Sequence, residues 1–162
     1  MDVRASGGRG AHGFSFVELL VVTTILLILA SAIQPLARVT IQRQKESELR
    51  HNLRELRQAI DGYYDLVAAG QVPATELKPG NEGYPPDLET LVEGVSIAND
   101  ATGRKVKFLR RIPIDPMTGD TDWMLRSYQD KPDATRWGGQ NVFDVRSTST
   151  GTALDGTKYS DW

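Results

Sequence analysis

Gly13-Phe14-Ser15-Phe16-Val17-Glu18-Leu19-Leu20 opens an apolar run that continues from Val21 to Ile33 without a charge. Its one ionisable side chain, Glu18, stands near the start. A carboxylate inside a membrane-length apolar segment is costly and by default reads as functional. Phe14 to Ile33 is roughly the 20 residues a helix needs to cross a bilayer, at about 1.5 Å of rise each. Thr23, Thr24 and Ser31 are tolerable inside it, because their hydroxyls can bond back to the helix backbone. Arg4 and Arg9 precede the run, offset in part by Asp2, and Arg38 is the first basic residue after it. A basic N-terminal flank favours keeping that end in the cytoplasm and sending the remainder across.

Three readings of this segment compete. As a secretory signal peptide it would use Ala30-Ser31-Ala32 as an A-x-A cleavage site. Glu18 then stands early in the apolar region, and a helical pattern resumes soon after the cut. As a plain signal anchor it would merely tolerate Glu18 near the cytoplasmic interface. The third reading accounts for the charge. A short basic leader ending in Gly13, then Phe14, then Glu18 four residues on, resembles the class III signal of type IV pilins and pseudopilins. The resemblance implies that a prepilin peptidase, a membrane aspartyl protease, cuts after Gly13 and methylates the new N-terminal Phe14. It implies that Glu18 pairs with the N-terminal ammonium of a neighbouring subunit. Between apolar helices such a pair is costly to break and would set assembly register. Pro35 falls where family members often carry a helix-perturbing proline, and a kink or local melting is expected there.

Beyond the apolar run a helical pattern extends from Leu36 to about Ala69. Leu49, Leu53, Leu56, Ile60, Tyr63 and Val67 step by three and four, which makes one apolar stripe. Arg, Lys, Glu and Gln occupy the other faces between Arg38 and Arg57. Gly70 is placed to cap the helix. Gln71 to Pro86 is a loop broken by Pro73, Pro79, Gly80, Gly83, Pro85 and Pro86. Pro86 or Asp87 starts a short helix to about Glu93, ended by Gly94.

The segment Tyr84-Pro85-Pro86-Asp87-Leu88-Glu89-Thr90-Leu91, followed by Phe108 to Pro116, resembles the major pseudopilin of type II secretion. The resemblance implies that Phe108 to Pro116 is an extended pass into the first strand. Pro116-Met117-Thr118-Gly119 reads as a turn. Trp123–Tyr128 and Asn141–Ser147 are strand candidates, with Val142, Phe143 and Val145 as core residues. The expected fold is α+β: a long N-terminal α-helix, transmembrane in its first half and amphipathic in its second, packed on a small antiparallel β-sheet, as in the pilin-like fold. The expected divisions are a leader at 1–13, a transmembrane and assembly helix at 14–35, an amphipathic helix at 36–70 and a periplasmic region at 71–162.

In the major pseudopilins a C-terminal loop binds calcium. Here that loop holds only Asp155 and Asp161 as acids, whereas calcium takes six to eight oxygens. Asp155-Gly156 is a strong turn signal, and a turn packed down by Tyr159 and Trp162 is the favoured reading; both residues remain weak calcium candidates. Asp115, Asp120, Asp122, Asp130 and Asp133 read as solvated loop carboxylates.

The totals set bounds. The 162 residues suffice for one small domain plus a long helix. A net charge of −2 gives no nucleic-acid footprint. The chain has no cysteine, which excludes a disulfide framework and thiolate metal sites. Two histidines, His12 and His51, leave little for a catalytic triad, and no P-loop, nucleophile elbow or HExxH motif is present. No enzyme is expected. The resemblance implies a structural subunit of a pilus-like filament, a type II secretion pseudopilin first and a type IV pilus major or minor pilin as the alternative. The alternative of a different class is a membrane-anchored periplasmic binding domain. The implied filament subunit is single-pass in the inner membrane with its C-terminal domain periplasmic, and is assembled into a periplasmic or surface filament. Its implied partners are like subunits, the prepilin peptidase and an inner-membrane assembly platform.

Overall fold

The computed structural model describes residues 15–98 and 103–162, except for the side chains at 32–37. Gly13 and Phe14 lie outside the described residues, and so does the side chain of Pro35. Two units are distinguished, one reaching to Thr40 and the other running from Ile41 to Trp162. The helix α1 (Phe16–Ala68) contributes to both and is helical through position 35, without the local melting considered above.

In the first unit α1 carries apolar side chains on every face. Phe16, Val17, Leu19, Leu27, Ile28 and Leu29 are all exposed. The hydroxyls are satisfied as anticipated: Thr23 and Thr24 donate to the Leu19 and Leu20 carbonyls, and Ser31 to that of Ile28. Among the described residues no helix is long and apolar enough to cross a membrane. The described apolar part, Phe16 to Ser31, rises about 24 Å, short of a hydrocarbon core of about 30 Å. The expected span also takes in Phe14 and positions 32 to 35.

In the second unit the stripe is the core. Leu49, Leu53, Leu56, Ile60 and Tyr63 are buried, and Val67 is partly so. The helix ends as Gly70 predicts. Gly70 has φ +67°, its N–H reaches the Val67 carbonyl, and the Gln71 N–H reaches that of Leu66. This is the double bond of a Schellman cap. The second helix, α2 (Leu88–Glu93), has Asp87 as its N-cap, accepting the Thr90 N–H at 2.8 Å. Gly94 terminates it at φ +81°, where an added Cβ would strike the Val106 carbonyl.

The strands are shorter than expected and form two antiparallel pairs rather than one sheet. β1 (Val95–Ser96) pairs with β2 (Lys105–Val106), and β3 (Trp123–Arg126) pairs with β4 (Asp144–Ser147) in the register Trp123 to Ser147. Residues 141–143 do not join β4. Asn141 is fully buried, and its carbonyl accepts both the Ser127 hydroxyl and the Trp137 indole N–H. The Val142 N–H turns to the Pro85 carbonyl. Val142 and Val145 are core residues, but Phe143 is 42 % exposed and stands against the rings of Tyr84 and Tyr128. Between the two pairs, the pass is tied to α1 by Asn52, whose amide donates to the Ile114 carbonyl at 2.8 Å. The Trp123 indole N–H holds the Pro113 carbonyl at 3.0 Å.

Asp115 corrects the reading of the loop acids. It is wholly buried, and its carboxylate accepts the Ser147 hydroxyl at 2.5 Å and the Met117 N–H at 2.8 Å. A carboxylate is stable there because donors on two elements converge on it. Asp130 is also structural, accepting N–H groups from Ser127 and Gly138. Asp120, Asp122 and Asp133 are exposed as anticipated.

Candidate assembly segment and C-terminal loop

Glu18 sits in the first turn of α1, where a carboxylate complements the partial positive charge of a helix N-terminus. It is exposed and has no hydrogen-bond or ion-pair partner among the described residues. The side chains around it, Phe16 80 % exposed and Val17 67 % exposed, are apolar. A helix that is hydrophobic on all sides is stable only when something covers it, either lipid or other helices. Covering a lone carboxylate on such a surface is costly unless a compensating partner comes with it.

Residues 8–33 match the family model described as the prokaryotic N-terminal methylation motif. The chain carries a type IV pilin-like N-terminal signal. The motif takes in Gly13, Phe14 and Glu18 together with most of the apolar run, and it supports a pilin-like filament subunit. No curated protein and no solved structure matches the chain.

The second candidate site is the C-terminal loop. Asp155 and Asp161 do not converge. Asp155 accepts the Thr157 N–H at 2.9 Å and the Thr157 hydroxyl at 2.6 Å, and lies 3.5 Å from Arg50. Asp161 meets only the Ser160 hydroxyl, at 3.4 Å. Among the described residues no group of three or more His, Cys, Asp or Glu side chains is placed to hold a metal ion.

Side chains of α1 hold the loop instead. Glu46 is buried and accepts the Leu154 N–H at 2.9 Å and the Tyr159 hydroxyl at 3.0 Å. Gln42 donates to the Thr152 carbonyl at 3.2 Å. Arg57 donates to the Trp162 carbonyl at 2.6 Å and to Asp144 at 2.8 Å. Burial pushes the Tyr159 hydroxyl up from its ordinary pKa. The ring of Trp162 lies edge-on to Tyr159, and the Arg50 guanidinium stacks over it at 4.2 Å. Gln42 and Glu46 were missed in the sequence although a signal was present. They continue the core register of Leu49 and Leu53 backwards by steps of three and four, which marks them as polar residues bound for burial.

The hydrogen bonds from Thr157 hold the Asp155 carboxyl below its ordinary pKa, with Arg50 adding to the effect. A lowered folded pKa means that the contribution to loop stability is present at neutral pH and is lost as pH falls through that lowered value. Acidification should therefore loosen 152–158. Amide exchange at Thr157 followed against pH checks this. Asp155→Asn should flatten the dependence, and an unchanged profile in that variant would contradict the assignment.

Proposed function

We propose that the chain is a subunit of a pilus-like filament, and that it belongs to a type II secretion pseudopilus rather than to a type IV pilus. Peptidase cleavage follows Gly13, methylation falls on Phe14, and residues 14–35 anchor the subunit in the inner membrane with the C-terminal region in the periplasm. On assembly Glu18 pairs with a neighbour's N-terminal ammonium, and Pro35 adjusts the helix as it leaves the bilayer. The mechanism is mechanical: subunits are extracted from the membrane, their apolar helices are covered by one another, and the growing filament drives secreted protein outward.

The match of residues 8–33 to the methylation motif carries this reading. An apolar helix with nothing covering it, joined to an α+β domain with its own core, agrees with it. The preference for secretion rests on the Tyr84 to Leu91 and Phe108 to Pro116 segments and on the lack of a cysteine pair. The test is the intact mass and N-terminal sequence of the protein recovered from membranes of its native host. A chain that begins at methylated Phe14 supports the proposal. One that begins after Ala32, or still at Met1, overturns it in favour of a secreted domain or a simple anchor.

A further inference from the structure

Two grooves flank α1 within the second unit, one on each side of its apolar stripe. The first, of about 640 Å³, has Glu48, His51 and Glu55 on the helix side and Arg110 and Arg111 on the side of the pass. The second, of about 340 Å³, has Arg50, Arg54 and Arg57 on the helix side and Asp155 and Trp162 on the side of the C-terminal loop. The charge pattern is inverted between them. In one the helix is acidic and the loop basic; in the other the helix is basic and the loop acidic.

The helix geometry separates the two edges. At about 100° per residue, Glu48 and Glu55 lie on one side of the stripe and Arg43, Arg50 and Arg54 on the other, roughly 130° apart around the solvent face. Arg43, Arg54, Glu48, Glu55, Arg110 and Arg111 are exposed and form no ion pair among the described residues. Arg50 is held only by an exposed pair with Asp155, at 3.5 Å with both side chains about half exposed, and by its stack on Trp162. Arg43 and Arg50 are separated by the same step as Glu48 and Glu55. A second copy laid parallel and displaced by five residues, about 7.5 Å along the helix, brings Arg43 opposite Glu48 and Arg50 opposite Glu55. The same placement brings the Asp155 side of one copy toward the Arg110 and Arg111 side of the other.

We infer that the two edges of α1 between Arg43 and Arg57 form a self-docking pair, the basic edge of one subunit seating on the acidic edge of the next. The occupant of each groove is another copy of this chain. Because the edges lie on different sides of the helix the contact is heterologous, and the displacement of about 7.5 Å at each step keeps it from closing into a ring, so it propagates. A parallel two-fold pair would use both edges at once. It would also turn Gln44, Ser47, His51 and Arg54 toward their own copies, burying polar groups and setting Arg54 against Arg54. Side-by-side docking avoids that cost. The inference rests on the filament reading and adds to it which surfaces meet.

Among the described residues Arg43 and Glu48 form no side-chain hydrogen bond or ion pair, so they carry the test. Filaments released from spheroplasts of the native host are pelleted and quantified for Arg43→Glu, Glu48→Arg and the exchange of both, with subunit abundance in membranes as the control for folding. Each single reversal sets like charges opposite and should lower filament yield by about tenfold or more, and the exchange should restore it. The chain has no cysteine, so Arg43→Cys and Glu48→Cys subunits expressed together give a clean cross-linking assay. A bis-maleimide should join the two kinds to each other and neither kind to itself. If filaments form and depend on Glu18, but the reversals assemble like wild type or the exchange does not restore them, the docking pair is wrong and the filament reading stands. If the wild-type chain forms no filaments, both are wrong.

Discussion

Replacing Asp115 by alanine is expected to remove about 2–4 kcal/mol of stability, the cost of stranding buried partners. The carboxylate is wholly buried and links the turn at Met117 to the end of β4 at Ser147. The backbone at Asp115 is also part of the turn. Its N–H reaches the Asp120 carbonyl, and its carbonyl accepts the Gly119 N–H. Alanine keeps those backbone bonds but leaves the Ser147 hydroxyl and the Met117 N–H facing a void. Asn fills the space and offers one acceptor, so Asp115→Asn should lose less. Ser147→Ala removes the other side of the bond, and its effect should be strongly non-additive with Asp115→Ala. Denaturant unfolding of the full chain in detergent measures all three. A loss below about 1 kcal/mol for Asp115→Ala, the range of ordinary surface substitutions, would show that the carboxylate is not the tie described.

Glu18→Ala should leave cleavage after Gly13 intact and abolish assembly. Alanine makes the segment more apolar, so membrane insertion is not impaired. What is lost under the proposed function is the partner of a neighbour's ammonium group. Breaking a covered ion pair by removing one member costs about 3–5 kcal/mol, which is more than about a hundredfold at each subunit contact. The number of such contacts grows with filament length, so the expected outcome is processed subunit in the membrane and no filament released from spheroplasts. Glu18→Asp keeps the charge on a shorter arm and should fall between. Normal filament yield from Glu18→Ala would refute the role given to this residue.

The sequence made the periodic parts of this fold legible and left the convergent parts hidden. The stripe from Leu49 to Val67, the Gly70 cap and the Asp87-to-Gly94 helix depend on neighbours in the chain, and their spacing survives in one dimension. Asp115 and Ser147, or Glu46 and Tyr159, meet only after the chain has folded back, and no local pattern pairs them. Asp115 carried a partial signal, since Asp before Pro with Gly119 beyond is turn chemistry that commits the side chain to nearby N–H groups. The division into two strand pairs was hidden for a related reason. Asn141 reads as a polar strand residue until Ser127 and Trp137 are seen to claim its carbonyl. At the candidate assembly segment Glu18 stood out because the cost of one carboxylate among apolar side chains is itself local information. The partner that would neutralise Glu18 is not, because it would come from a different molecule.

The grip of Gln42 and Glu46 on Thr152, Leu154 and Tyr159 joins positions more than a hundred residues apart. Loop closure over that distance is entropically unfavourable and comes late. Without residues 152–159, Glu46 would lose Leu154 and Tyr159 and keep Gln42 as its one side-chain donor among the described residues. A variant cut before Thr152 would uncover α1 around Gln42 and Glu46 and along the edge of the second groove, and limited proteolysis should nick it there first. The clasp thus acts as a latch, in which the C-terminal loop shields a buried carboxylate of α1 from water.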